Sequence, residues 1–249
     1  MRHGDEEAGT DGRPRVGVVA SFDFTRQAEL LRWMPDEVTC ALAFTRPVPY
    51  EDNWQLVSRL GRPAVLAEPL RELRSSADGM PEAVAYLCTA CSFVGGVAGE
   101  AALRAAMTEH GVPHALTTSG AAVAALRAVG ARRVAVVHPY QAPVDRALAR
   151  YLEASGCEVA GLTALGLESV DEVYGVRAER VEQAVAAGDR PGADAVFVSC
   201  TALPTYDVLP ALERRLGKPV ISANQATVWA LSRAVGMRAR GPGQRLPAH

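Results

Sequence analysis

Short runs of apolar residues alternate along this chain with longer segments of helical periodicity, and this alternation most constrains the fold. Three of the runs, at 16–20 (VGVVA), 83–87 (AVAYL) and 134–138 (VAVVH), contain almost no polar residues. Strands of this kind are buried on both faces, as in parallel sheets covered by helices. The alternation of strands and helices therefore predicts an α/β fold with parallel sheets.

The chain also contains a weak internal repeat. The run RVGVVA (15–20) returns as RVAVVH (133–138), and a Cys-Thr-Ala triplet follows an apolar strand at 88–90 and again at 200–202. The repeat predicts two similar lobes, residues 15–118 and 119–222, with a C-terminal helix over 223–236 completing the first. Because ligands bind at the carboxyl ends of parallel strands, we expect Cys88 and Cys200 to face each other across one cleft. The polar segments 1–14 and 237–249 are predicted to be loose tails.

Composition excludes several classes of protein. The 26 basic and 28 acidic residues give a net charge of −2, without the basic excess of a nucleic-acid-binding protein. No apolar run approaches the roughly 20 residues of a membrane helix, and the polar N-terminus is unlike a secretory signal, which favours a cytoplasmic location. Five cysteines, an odd number, argue against a disulfide framework. Without a second close cysteine pair the chain offers no structural zinc site, so no metal is expected.

The two strand-end cysteines are the candidate catalytic residues. Backbone N–H groups that follow such a position favour the thiolate and can also hold a carboxylate. Two thiols across a cleft can transfer a proton between opposite faces of one carbon, or divide the work of nucleophile and proton donor. Cys91 is interpreted as a packing residue rather than a redox partner of Cys88, and Cys40 and Cys157 as buried apolar residues.

Three further residues could bind a carboxylate. The hydroxyls of Thr89 and Tyr140 can donate to it, and Thr201 can donate through its backbone N–H. Two simpler roles stay open, because Thr89 could cap the following helix and Tyr140 could pack at the rim. His138 could act as a base, although a histidine at a strand end is more often structural.

Three segments together carry a resemblance to a known family. CTACSFVGG (88–96), VAVVHPY (134–140) and the long stretch 198–231 resemble the aspartate/glutamate racemase superfamily, in particular its maleate cis–trans isomerase and arylmalonate decarboxylase branch. The resemblance covers about residues 15–236. It implies two pseudo-symmetric flavodoxin-like lobes, an active site in the cleft between them, and chemistry that needs no cofactor.

The resemblance also implies roles for single residues. Cys88 would attack the alkene of maleate and form a covalent succinyl adduct, and Cys200 would transfer the proton. Thr89 and Tyr140 would bind carboxylate oxygens, and Ala90 and Thr201 would line the same site. Many relatives are oligomers, so we expect a homo-oligomer that acts on a small carboxylate or dicarboxylate.

One residue departs from the pattern of maleate isomerases. Asp23 lies in the loop after the first strand, where these enzymes usually have an asparagine that binds a substrate carboxylate. Like charges repel in a partly dry cleft. Three interpretations stay open: Asp23 is protonated on binding, it turns away to cap the next helix, or the substrate presents an ammonium or amide donor.

Several functions therefore compete. Isomerisation of maleate to fumarate is the leading hypothesis. An aspartate in this loop is similar to the ectoine-utilisation branch of the superfamily, which favours racemisation of an amino-acid derivative as an alternative. An arylmalonate-type decarboxylase is disfavoured, because that branch lacks the first cysteine. Two further hypotheses are a non-catalytic ligand-binding protein and a thiol–disulfide oxidoreductase that uses Cys88 and Cys91.

Overall fold

Two four-stranded parallel sheets form the framework of the protein in a computed structural model that describes residues 12–76 and 79–249. The first sheet has the strand order β2-β1-β3-β4 and contains β1 (Arg15–Ala20), β2 (Thr39–Phe44), β3 (Ala83–Leu87) and β4 (His114–Thr117). The second has the order β6-β5-β7-β8 and contains β5 (Arg133–His138), β6 (Glu158–Ala164), β7 (Ala195–Val198) and β8 (Val220–Ser222). The same strand order in both sheets confirms the parallel α/β fold that the alternation and the repeat predicted.

Helices cover both sheets. Those that precede β5 are α1 (Gln27–Leu31), α2 (Asn53–Leu60), α3 (Ala67–Ser75), α4 (Thr89–Phe93), α5 (Gly96–Glu109) and α6 (Thr118–Ala128). Those that follow are α7 (Val144–Ala154), α8 (Val170–Tyr174), α9 (Ala178–Gly188), α10 (Leu209–Leu216) and α11 (Ala223–Ala234). Within residues 12–76 and 79–249, no helix combines the length and apolar character needed to cross a membrane.

The central strands are the most deeply buried elements. Every residue of β3 and β7 is buried, because these strands have a neighbour on each side and helices on both faces. The edge strands β2 and β6 are mostly half-buried. The C-terminal helix α11 packs against α6 and contacts β3 and β4 of the first sheet and β8 of the second.

The C-terminal segment 237–249 is packed against the protein, so the prediction of a loose tail there is wrong. The side-chain oxygen Oε1 of Gln244 accepts hydrogen bonds from Trp33 Nε1 at 2.8 Å and from Gln225 Nε2 at 2.7 Å. The Leu246 side chain is fully buried. These partners are distant in sequence, so the Gly- and Arg-rich composition of the segment gave no sign of them. Of the N-terminal tail predicted over 1–14, residues 1–11 lie outside the described part of the chain.

Candidate active site

A cavity at the carboxyl ends of the central strands is lined by residues from both sheets. All of the predicted site residues border it: Asp23, Cys88, Thr89 and Ala90 from the first lobe, and Tyr140, Cys200 and Thr201 from the second. The expectation that one cleft would bring the two Cys-Thr-Ala triplets together thus agrees with the structure.

Cys88 lies between the last residue of β3 and the first turn of α4. Its backbone is extended, with φ −148° and ψ 109°, and it is the N-cap residue of the helix. The Cys88 sulfur accepts a hydrogen bond from the backbone N–H of Cys91 at 3.4 Å. Because Cys88 caps this helix, the alternative role of Thr89 as the cap is wrong, and the Thr89 side chain is left for other contacts.

Cys88 and Cys91 form a disulfide in this structure. The interpretation of Cys91 as only a packing residue, and of all five cysteines as unpaired, is therefore wrong. The physical reason is the first turn of α4, which places residues three apart on the same side, with Cα atoms 5.3 Å apart. Nucleophilic chemistry at Cys88 requires the reduced form of this pair.

Cys200 follows β7 but has a different local structure. Its φ is +122°, and it is the one non-glycine residue with positive φ in the part of the chain that the structure describes. Such a conformation is strained, and it persists where the surrounding structure holds it. Burial raises the pKa of the Cys200 thiol to about 11, so this thiol carries its proton at neutral pH. A protonated thiol in a cleft is suited to donate a proton.

The loop after Cys200 is held by side chains from the first lobe. Arg26 Nε donates to the carbonyl oxygen of Ala202 at 2.6 Å, and another guanidinium nitrogen donates to that of Tyr174 at 3.0 Å. Glu29 Oε1 accepts from the backbone N–H of Thr205 at 2.7 Å. Arg26 and Glu29 were not predicted as site residues, because their positions in a predicted helix gave no indication of contacts with the second lobe.

The hydroxyls of Tyr140 and Thr89 meet inside the cavity. Tyr140 OH lies 3.3 Å from Ser199 Oγ, and burial together with the nearby Cys200 raises the pKa of Tyr140 well above its usual value. Tyr140 is therefore a neutral hydrogen-bond donor. Thr89 Oγ1 is buried and, within the described residues, lacks a hydrogen bond of ordinary geometry, although it lies near enough to Tyr140 to affect that pKa. A buried, unsatisfied hydroxyl is free to bind a ligand oxygen.

Asp23 borders the cavity and does not cap a helix. Its Oδ1 accepts a hydrogen bond from Ser21 Oγ at 2.6 Å, and α1 begins at Gln27 with Arg26 as its N-cap. Of the three interpretations of Asp23, the capping role is thus wrong. The pKa of Tyr174 is raised by burial and additionally by the charge of Asp23, which places that carboxylate within electrostatic reach of the cavity wall.

The remaining walls are apolar and the mouth is acidic. None of the residues that line the cavity within the described ranges is a lysine, arginine or histidine. The apolar wall consists of Leu56, Val57, Leu60, Val144, Val170 and Val173. A second depression shares Asn53, Gln141 and Val170 with the cavity and is bordered by Glu51, Asp52, Glu168 and Asp171. The polar side chains that line the cavity are therefore hydroxyl, thiol, amide and carboxylate groups, and no basic side chain is among them within the described residues.

His138 has a structural role. Its Nδ1 accepts a hydrogen bond from the backbone N–H of Tyr140 at 3.2 Å, and its ring stacks on the Tyr140 ring. Burial lowers the pKa of His138, so the imidazole is neutral at neutral pH. The residue does not border the cavity. It orients Tyr140 from behind, in agreement with the structural role that its place at a strand end favoured.

Two similar lobes that each contribute a cysteine to one cavity define a class of two-lobed α/β enzymes with paired cysteines. The chain belongs to the arylmalonate decarboxylase family, whose family model matches residues 58–246.

Relatives in this family carry out two different reactions. A maleate isomerase from Nocardia farcinica is 33% identical over 193 residues, which cover 75% of this chain and 77% of the relative. An arylmalonate decarboxylase from Bordetella bronchiseptica is 38% identical over 164 residues, covering 64% of this chain and 68% of the relative. The crystal structure of a cysteine-to-serine mutant of the Nocardia farcinica enzyme with a covalently bound succinylcysteine intermediate has a TM-score of 0.81 and 26% identity. It covers 95% of this chain and 98% of that chain.

Proposed function

We propose that the reduced protein is a cofactor-independent cis–trans isomerase of a small unsaturated dicarboxylate, with maleate as the substrate and fumarate as the product. One observation carries this proposal: a cysteine from each lobe borders a single cavity that is also lined by Thr89 and Tyr140. The related maleate isomerases and the succinylcysteine adduct of one of them support it.

In this mechanism Cys88 forms the covalent bond. Its thiolate adds to one alkene carbon of maleate, and the electron pair of the double bond moves to the other carbon and its carboxylate. Thr89 and Tyr140 donate hydrogen bonds to the carboxylate oxygens, where the negative charge accumulates. The remaining carbon–carbon bond is then single and can rotate.

Cys200 completes the reaction as acid and base. It protonates the carbanion, which gives the succinyl adduct, and after rotation it removes a proton from the same carbon. The carbon–sulfur bond to Cys88 breaks, and fumarate leaves with a trans double bond. Protons and electrons balance within the cycle, so the reaction consumes no other reagent.

The direct test is to incubate the protein with maleate and dithiothreitol and to follow fumarate by NMR. The proposal predicts turnover by the reduced wild type and by Cys157→Ala, a control that removes a buried free thiol distant in sequence from both triplets. Absence of fumarate with the reduced, folded wild type would contradict the assignment to maleate.

A second candidate, racemisation of an α-carbon that bears a carboxylate, is favoured by the charge of the cavity. Asp23 and the acidic mouth disfavour a dianion, whereas an ammonium or amide donor on the substrate would pair with Asp23. The apolar wall would accept a nonpolar substituent on the same carbon. Cys88 and Cys200 would then exchange the α-proton on opposite faces.

Deuterium exchange and one substitution separate the two candidates. A racemase washes deuterium from D₂O into the α-carbon of N-acyl or free amino acids, and Asp23→Asn weakens that activity. For an isomerase of maleate, Asp23→Asn instead lowers KM by about tenfold, because a like charge is removed. Release of CO₂ from phenylmalonate by the wild type would favour the third function, decarboxylation.

The oligomeric state and the cellular location stay predictions. We propose a homo-oligomer, and light scattering on the purified protein tests it, since a monomer at micromolar concentration would contradict the proposal.

A further inference from the structure

The sulfur proposed as the nucleophile has a second sulfur as its bonded neighbour, and this pairing suggests a modification site. We propose that Cys88 and Cys91 are a reversible redox pair, in which Cys91 is the resolving thiol that converts oxidised Cys88 into a disulfide. The disulfide holds the enzyme inactive until a dithiol reduces it. The inference rests on the proposed function only in taking Cys88 as the nucleophile.

The backbone geometry brings the side chains of Cys88 and Cys91 together. Cys88 caps α4 and Cys91 lies in its first turn, so the two side chains leave the helix on the same side. Their Cα atoms are 5.3 Å apart, within the range of about 4.4–6.8 Å that disulfides span. Regular secondary structure on both sides of Cys88, β3 and α4, fixes this distance.

Cys88 is more accessible than Cys91 to an oxidant that enters the cavity. Both cysteines border the cavity, but Cys88 is half-buried, whereas Cys91 is only 2% exposed and packs into the apolar core of the first lobe with Leu60 and Tyr86. An oxidant that enters by the substrate cavity therefore meets the Cys88 sulfur first. Cys91 is the less exposed of the two cysteines and is adjacent to the product of the oxidation, which is the arrangement of a resolving cysteine.

The chemistry balances with a hydroperoxide as the oxidant. The Cys88 thiolate attacks one peroxide oxygen, the O–O bond breaks, and the products are a sulfenic acid and an alcohol, or water when the oxidant is hydrogen peroxide. The Cys91 sulfur then attacks the Cys88 sulfur and releases water. Two thiols lose two electrons in total and the peroxide gains them. A dithiol reverses the reaction by two successive exchanges.

The other cysteines do not share this arrangement. Within the described residues, Cys40, Cys157 and Cys200 are free. Burial raises the pKa of Cys200 to about 11, so at neutral pH it is a thiol, the less nucleophilic form, and it reacts slowly with peroxide. Oxidation therefore concentrates at Cys88. Cys91 protects Cys88 from further oxidation to the irreversible sulfinic acid.

The test compares the wild type with Cys91→Ala and with the control Cys157→Ala, which loses an equally buried thiol. Each protein is reduced, exposed to hydrogen peroxide, and then returned to dithiothreitol. We expect wild type and Cys157→Ala to lose at least tenfold in activity and to recover fully. Cys91→Ala is expected to need no prior reduction and to remain inactive after peroxide, with a sulfinic acid at Cys88. Full recovery of Cys91→Ala would overturn the proposal.

Peptide mapping by mass spectrometry gives a result that does not depend on activity. A disulfide between Cys88 and Cys91 that appears with peroxide and disappears with dithiothreitol supports the redox pair, even if the protein proves inactive on maleate. Turnover of maleate by the reduced wild type, with no disulfide between Cys88 and Cys91 after peroxide, would overturn the proposal while leaving the isomerase assignment intact. Cys91→Ser serves as a second variant should Cys91→Ala fail to fold.

Discussion

The two cysteine loops of the cavity have the same short sequence and different surroundings. Cys88 caps a helix, accepts a backbone N–H and is bonded to a second cysteine of its own lobe. Cys200 is followed directly by an irregular loop, has a strained φ and has a thiol pKa raised by burial to about 11. A duplicated Cys-Thr-Ala thus provides two thiols of different reactivity, one suited to attack carbon and one suited to carry a proton.

The difference arises in the backbone that follows each thiol. In the first lobe the chain turns directly into α4, which supplies the stabilising N–H group at Cys88. In the second lobe the chain enters an irregular loop, and Arg26 and Glu29 of the first lobe supply its hydrogen bonds. The second loop therefore depends on hydrogen bonds from the first lobe, whereas α4, which follows Cys88, meets the second lobe through Phe93, whose ring packs against Tyr140 and Tyr151.

Removing each thiol in turn is the most severe test of the different roles of Cys88 and Cys200. Cys88→Ala and Cys200→Ala are each expected to lower kcat for the isomerisation of maleate by at least about 10³-fold, because each removes a group that touches the reacting carbons. Steady-state kinetics with dithiothreitol present measure the effect. If either variant kept a tenth of the wild-type rate, the two thiols could not have separate, essential roles.

Removing the Tyr140 hydroxyl tests a hydrogen-bond donor to the substrate carboxylate that serves the steps of both thiols. Tyr140→Phe keeps the ring that stacks on His138 but loses the hydroxyl that lies 3.3 Å from Ser199 Oγ. We expect kcat/KM to fall by about 10²-fold, as for the loss of one charge-stabilising donor. Circular dichroism controls for folding. A fall of less than threefold would assign Tyr140 to packing at the rim.

Loosening the second loop is expected to affect Cys200 and not Cys88. Arg26→Ala removes the hydrogen bonds to Ala202 and Tyr174, so kcat should fall by about tenfold through misplacement of the proton donor. The rate at which iodoacetamide alkylates reduced Cys88 should remain at the wild-type value. A parallel fall in both quantities would mean that the substitution disturbs the whole protein.

The smallest predicted effect is the decrease in kcat at alkaline pH. Because burial raises the pKa of Cys200 to about 11, its protonated form is fully present below that value and is lost only as the pH rises through it. We therefore expect the alkaline limb of kcat to show less than about a twofold decrease between pH 7 and pH 9. A decrease centred near the ordinary thiol pKa would show that Cys200 is not shielded as the structure indicates.

The positions of Cys88 and Cys200 in the fold could be predicted from the sequence, because they depend on the apolar runs that directly precede these residues. The apolar runs before Cys88 and Cys200 are buried strands, and the ends of parallel strands meet at one edge of a sheet. Tyr140 was identified through the resemblance of VAVVHPY to the family, and in the structure it follows β5. A helix after Cys88 was expected, but the disulfide was missed, because TACSF is too short to show which face of that helix Cys91 occupies.

Contacts between distant segments could not be predicted. Arg26 and Glu29 form hydrogen bonds to the second lobe more than 170 positions away, and the local pattern shows only that they belong to a helical stretch. Gln244 is buried against Trp33 although its segment has the composition of a loop. Asp23 was recognised as a departure from maleate isomerases, and the structure then excluded its capping role.

The most direct measurement is intact-protein mass spectrometry with peptide mapping on reduced Cys200→Ala after incubation with maleate. If Cys88 attacks carbon and Cys200 only transfers protons, this variant should accumulate one substrate equivalent bound at Cys88, and reduced Cys88→Ala should bind none. An adduct at Cys200 in the Cys88→Ala protein, or no adduct at Cys88 in a folded and reduced Cys200→Ala protein, would contradict the division of roles between the two lobes.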